Sequence, residues 1–247
     1  RSYSVTGVQT CALPILLWFR SRGPGLRPDL VLLGFGREGL HRLVRERCGR
    51  FPKPRFRMDE NKRLVSPVLP LSEPAQAPFR EFVDGLRLVR LFAGPDRPML
   101  APPSPPIPAE YGPYLVKLPD EVSECWYLAA ALLRELAAEV RGCGALLLAF
   151  PIPDHAQVSG AEAHRILRGI GLAEEMWNID RPTAFFASIA AELGVAVLDP
   201  LGYFRGAAKE GRSLFLPGET GLAPEGHKLL AELLERKLVE LRWYGLR

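Results

Sequence analysis

Apolar positions along this chain recur in two rhythms. Leu30–Phe35, Ala145–Phe150 and Val195–Leu198 are short continuous apolar runs that do not alternate with polar residues. Such runs predict strands of a parallel sheet covered by helices on both faces. Between them the period lengthens. Over Ser123–Arg141, the residues Cys125, Leu128, Leu132, Leu136 and Val140 fall on one stripe, with Arg134, Glu135, Glu139 and Arg141 largely elsewhere. Pro182 suits a first helical position, and Gly194 suits the stop after Phe186, Ile189 and Leu193. A final helix from about Pro224 buries Leu230, Leu233, Leu234, Leu238 and Leu241. This alternation predicts an α/β, doubly wound fold.

Residues 49–120 break the rhythm. Nine prolines between Pro95 and Pro119 make this part extended and loop-like. It reads as an insertion, either a surface excursion or a segment facing a substrate. Just before and within it, Arg37–Arg63 carries ten Lys or Arg against four acids. Phe51 and Phe56 are its aromatics, too few to interleave regularly with the basic positions, and no nucleic-acid module is present, so the stretch reads as a solvated, arginine-rich face.

Composition narrows the classes. The 247 residues are 47% hydrophobic and 24% charged, with net charge +4, which excludes disorder throughout. The longest apolar stretches, such as Gly144–Phe150, fall far short of the ~20 residues a membrane-spanning helix needs. Cys11, Cys48, Cys125 and Cys143 form no Cys-x-x-Cys pair, so no zinc cage or disulfide framework is signalled, and no metal or cofactor is expected.

Residues 5–15, Val-Thr-Gly-Val-Gln-Thr-Cys-Ala-Leu-Pro-Ile, resemble the in-frame translation of a sequencing-library adapter oligonucleotide. The resemblance implies that residues 1–15 are foreign to the fold and contribute nothing to its core. It also implies that the natural N-terminus lies upstream, leaving cell compartment open and residues 16–247 as one domain.

Two patterns compete for the chemistry. Gly34-Phe-Gly36-Arg-Glu-Gly39 follows a strand and precedes a helix expected over Leu40–Arg47. Glycines so spaced let a pyrophosphate approach a helix N-terminus, and Asp59 and Glu60 lie about twenty residues on, where a ribose-binding acid is sought. A second buried strand should carry that acid, whereas Phe51-Pro-Lys-Pro-Arg-Phe-Arg is proline-broken and charged.

The other pattern is spread along the chain: Pro28–Phe35, Ala145–Pro153, Asp180-Arg-Pro182, Leu193–Asp199 and Glu219-Thr-Gly-Leu-Ala-Pro-Glu-Gly-His227. Together they resemble the SGNH/GDSL hydrolase family, from about Leu16 to Leu241. The resemblance implies a flavodoxin-like, three-layer α/β/α fold, with Pro28–Phe35 as the family's third strand and the first strands missing. It implies ester hydrolysis or acyl transfer by a serine nucleophile, an oxyanion-binding block and a late acid–histidine pair, acting on an acylated small molecule or glycan. Placed on this chain, the nucleophile block falls upstream of Leu16. The oxyanion positions fall on Gly34 and Glu38, where an ionised Glu38 can only accept hydrogen bonds. Glu219 takes the acid position, Gly221 the catalytic histidine position, and His227 the second, usually structural, histidine.

Glu219 and His227 are thus the catalytic candidates, and the expectation is a chain inactive as it stands. A non-catalytic carbohydrate- or partner-binding domain on the same fold is the alternative, and a dinucleotide-binding module a third. The loops at Gly34–Gly39, Ile152–Asp154 and Glu219–Gly221 should then line one crevice at the carboxyl edge of the sheet.

Other polar residues have plainer readings. Asp154-His155 follows a strand, but adjacent residues pair poorly as acid and base, so a surface loop is expected. His41 and His164 read as half-exposed helix residues, Asp29, Asp180 and Asp199 as caps or turns, and Cys143 as a small buried residue.

Overall fold

A computed structural model describes residues 12–43, 47–48, 51–52, 55–60, 63–68, 107, 109–216 and 221–243. Three strands, β1 (Leu30–Gly36), β6 (Leu146–Ile152) and β7 (Ala196–Val197), form a parallel sheet in the order β1-β6-β7. The register pairs Leu30 with Leu146 and Gly36 with Ile152, and then Leu148 with Ala196. The fold is α/β.

Strand parity explains why all three runs are apolar. Val31, Leu33, Phe35, Leu147, Ala149 and Val197 point to one face, against the helices Ala12–Leu26, Asp120–Gly142 and Arg181–Glu192. Leu30, Leu148, Phe150, Ile152, Ala196 and Leu198 point to the other, against the Leu201–Lys209 and Pro224–Glu240 helices. Side chains of successive strand residues leave opposite faces, so helices on both sides demand unbroken hydrophobicity.

The helices start and stop where local chemistry requires. Asp120–Gly142 begins after Pro119 with Asp120 and Glu121 in its first turn, where carboxylates meet the positive end of the helix dipole. It ends in a Schellman turn. Gly144 sits at φ +73°, its N–H donates to the Arg141 carbonyl, and the Ala145 N–H donates to that of Val140. Gly194, at φ +66°, repeats the turn after Arg181–Glu192, with Val195 N–H reaching the Ala190 carbonyl. Each turn delivers the chain straight into a strand of the sheet. The expected stripes are present: Cys125, Leu128, Leu132, Leu136 and Val140 are buried, as are Leu230 and Leu233, with Leu234, Leu238 and Leu241 packed partly buried beside them. Pro182 lies in the first turn of its helix.

Several expectations need correction. The helix placed at Leu40–Arg47 is instead Arg37–Arg42, starting directly off β1, and Arg47 belongs to a short strand. The stretch 49–120 is not loop throughout. Arg47–Cys48 (β2) pairs with Phe51–Pro52 (β3), and Arg55–Met58 (β4) with Leu64–Val68 (β5), both antiparallel. Phe56 is 2% exposed and joins the first core, so a proline-broken segment still supplies a core residue. Most of its proline-rich part, 69–106, lies outside the described residues. Finally, residues 1–15 were expected to give the core nothing. Ala12–Ile15 instead open the first helix, and Ile15 packs partly buried beside Leu16 and Phe19. A helical spacing of apolar residues runs across that boundary and buries one face.

Candidate functional site at the carboxyl edge of the sheet

The carboxyl ends of β1 and β6 lie side by side, because their register runs in step to Gly36 and Ile152. Whatever follows each strand therefore meets its counterpart. After β1 the first helical residue is Arg37; two residues after β6 comes Asp154. The Arg37 Nε donates to Asp154 Oδ2 at 2.5 Å, with both side chains about nine-tenths buried. The same Oδ2 accepts the Tyr114 hydroxyl, and Oδ1 accepts the Gln157 backbone N–H at 2.9 Å. Three of roughly four acceptor positions of this carboxylate are thereby occupied.

Gln157 closes a capping box, its side chain accepting the Asp154 N–H, so the turn from β6 into the His155–Val158 helix is fixed from both ends. Its amide nitrogen donates to the Ile179 carbonyl at 2.9 Å and to Thr183 Oγ1 at 3.0 Å. Asp154, Gln157 and Thr183 are all buried and belong to this one network. Tyr114 is fully buried, with the Arg37 guanidinium 4.9 Å from its ring centre and 6.0 Å from that of Tyr111. Burial, and then the Asp154 carboxylate, push the Tyr114 hydroxyl far above the usual phenol range. It remains a neutral donor.

Some expectations are overturned here. Asp154 is buried and structural, not part of a surface loop, although His155 beside it is exposed. Arg37 is not solvated like a surface arginine; it is buried against Asp154 and two tyrosine rings. Asp180 sits at a helix N-terminus but makes no side-chain cap; its carboxylate pairs with Arg205. Cys143 is exposed at a helix C-terminus rather than buried. Asp199 does close a turn, accepting Leu201 N–H at 2.9 Å. His164 is half-exposed, edge-on to Trp177 and 3.2 Å from Glu174, as expected of a helix surface. Hydrogen bonding from Arg168 holds the Glu174 carboxyl below its ordinary range.

The candidate catalytic positions fall as follows. Glu219 and the side chains of Glu38 and His41 lie outside the described residues. Gly221 lies beside Leu216, whose N–H donates to its carbonyl at 3.0 Å, and Phe215 pairs with Leu222. Phe215 in turn meets His155 edge-on at 5.2 Å, so the described end of this loop reaches the same edge as Asp154. His227 is exposed in the first turn of the last helix. Its neighbour Gly226 has a clear structural reason: a Cβ there would lie 2.2 Å from the Leu214 carbonyl oxygen.

The glycine pattern is placed differently from a phosphate-binding turn. Gly34 and Gly36 both lie inside β1, and a Cβ at Gly34 would press on the Phe150 and Ile152 side chains. The cavity beside Gly34, Gly36 and Gly39 is apolar and about 40 Å³, room for only a few water molecules. Asp59 closes a turn of an antiparallel pair, accepting Arg63 N–H at 2.8 Å, rather than ending a second parallel strand.

Sequence reasoning missed Arg37, Tyr114, Gln157 and Thr183. The Asp154-x-x-Gln157 spacing is a capping-box signature and was the available signal. Among the described residues no three His, Cys, Asp or Glu side chains gather to hold a metal ion, and no helix is long and apolar enough to cross a membrane. Comparison with protein-family models, curated proteins and solved structures found no match.

Proposed function

We propose that this chain is an SGNH/GDSL-type esterase-like domain that, as it stands, does not cleave esters. The observation that carries the reading is the sheet: parallel, in the order β1-β6-β7, with strand-end loops meeting at one edge. That order fits the third, fourth and fifth strands of a flavodoxin-like sheet, whose full order is 2-1-3-4-5. On this reading β1 is the third strand, and Arg37, Asp154 and Gly221 follow the strands that would carry catalytic loops.

Inactivity follows from the residues at those positions. Gly221 stands where a base is needed, and Glu38 stands where an oxyanion donor is needed. Losing one oxyanion donor alone costs roughly a hundred- to a thousand-fold in rate, and losing triad members overlaps with that loss rather than multiplying it. His227, exposed on the last helix, is the remaining candidate base.

Incubation with p-nitrophenyl acetate beside a His227→Ala variant tests this. Both proteins should match the buffer rate. Turnover above buffer that vanishes in the variant would make His227 the base and the chain an esterase. The second reading, a non-catalytic carbohydrate- or partner-binding domain, draws on the polar network at the sheet edge: Arg37, Tyr114 and Gln157 all bond to Asp154, as in a retained scaffold. Saturable binding of an acetylated oligosaccharide without turnover would select it over the first.

A further inference from the structure

The interior of a folded domain is packed as densely as an organic crystal, and gaps large enough for a guest are few. One lies beside the carboxyl end of β1. Gly34, Gly36 and Gly39, the glycines of the Gly-x-Gly-x-x-Gly pattern, all line it. The pattern therefore converges on one place, although Gly34 and Gly36 lie within a strand and form no phosphate-binding turn.

The walls come from several elements. Ala129, Leu132, Leu133 and Leu136 recur at helical spacing and turn one face of the Asp120–Gly142 helix to the gap. Leu33 and Phe35 meet them from the strand, and Phe186, stacked on Phe35 with ring centres 4.6 Å apart, closes one side. Room remains because glycine carries no side chain and Ala129 stops at Cβ among leucines. No lining side chain among the described residues carries a polar atom. An anion is a poor fit, since a charge buried without a partner is costly. Water is poorly held too, since it needs about two to four polar partners.

The cavity measures about 40 Å³. Engineered apolar cavities of about 150 Å³ stay dry and take benzene or xenon. At roughly a quarter of that size, this one suits a guest of about one to three heavy atoms. We propose that it is a binding site for a small apolar molecule of that size, and that the glycine pattern makes room for the guest rather than cradling a phosphate. Affinity then comes from dispersion and buried apolar surface, and selection is by size. The inference does not depend on the esterase reading, since it concerns the first core and not the chemistry of the strand-end loops.

Xenon is the probe. Methyl proton–carbon NMR spectra of the full chain under xenon, and under nitrogen at matched pressure, separate binding from compression. Saturable xenon shifts are expected at the methyls of Ala129, Leu132, Leu133 and Leu136, several-fold larger than at Leu229 and Leu230 in the second core. Ala129→Val adds bulk to the wall. Leu133→Met places a flexible side chain of similar volume beside the gap, a conservative exchange that keeps the fold. Each should cut the xenon shifts at the remaining lining methyls several-fold. Inorganic pyrophosphate should move none of them. Four results would overturn the proposal: no xenon shift at the lining methyls, shifts of equal size in both cores, shifts undiminished in both variants, or a saturable response of the lining methyls to pyrophosphate.

Discussion

Asp154 shows how one side chain can hold three segments that are distant in sequence. It is the N-cap of a four-residue helix too short to stand alone, the partner of Arg37 after β1, and the acceptor for Tyr114 from the insertion. Hydrogen bonds to a charged group are worth about 1.5–3 kcal/mol, roughly twice a neutral one. Tyr114→Phe should therefore lower stability at neutral pH by about 1–3 kcal/mol. The pH dependence fixes the cause. The folded state holds the Tyr114 hydroxyl above its unfolded value of about 10, so its contribution is complete below that pH and is lost as pH rises beyond it. The loss is at most about 1.4 kcal/mol per pH unit for one proton. Urea unfolding of both proteins from neutral pH into the alkaline range should show the gap between them narrowing above about pH 10. A gap that stays constant would assign the effect to packing rather than to the proton.

Elements depend on close approach as much as on pattern. The last helix can lie against the Leu214 carbonyl only because residue 226 has no side chain, and the same carbonyl accepts the Ala223 N–H at 2.9 Å just before the helix begins. Gly226→Ala forces a backbone shift at this junction, and overpacking of a tight contact costs about 1–3 kcal/mol. Chemical denaturation should show at least that loss, with the helix ends on the other side of the sheet unaffected in hydrogen exchange. Unchanged stability would mean that the helix start moves freely. The apolar runs, the long helix and the final helix were legible because burial on two sheet faces or one helix face imposes a period. What the period could not carry was lost. Phe56 lies in a proline-interrupted stretch, yet it inserts into the first core. Arg37 and Tyr114 are single residues whose roles arise only when β1 and β6 align in parallel, and nothing local marks them. Asp154 was visible as a strand-end acid; its burial was not, because burial comes from Tyr114 arriving from 40 residues away.

At the scale of the molecule, the sheet is asymmetric. β6 is paired on both sides, whereas β1 is paired on one side among the described residues. The helices of the second layer reach Leu30 but leave Leu32, on the same face, 45% exposed. β1, an edge strand among the described residues, reads Leu-Val-Leu-Leu and so has the composition of a central one, with no charge or proline to discourage pairing. The backbone groups along that edge and the exposed leucine next to them favour pairing with another chain. The protein should accordingly associate as its concentration rises, seen by light scattering after size exclusion. Leu32→Lys puts a charge on the exposed position while leaving Val31 and Leu33, which face the first core, in place. It should shift the distribution toward monomer without lowering the melting temperature by more than a few degrees, because the substituted side chain is already nearly half in solvent. A monodisperse monomer at every concentration in the unaltered protein would show that the edge is protected. Association unchanged by Leu32→Lys would place the contact elsewhere on the surface.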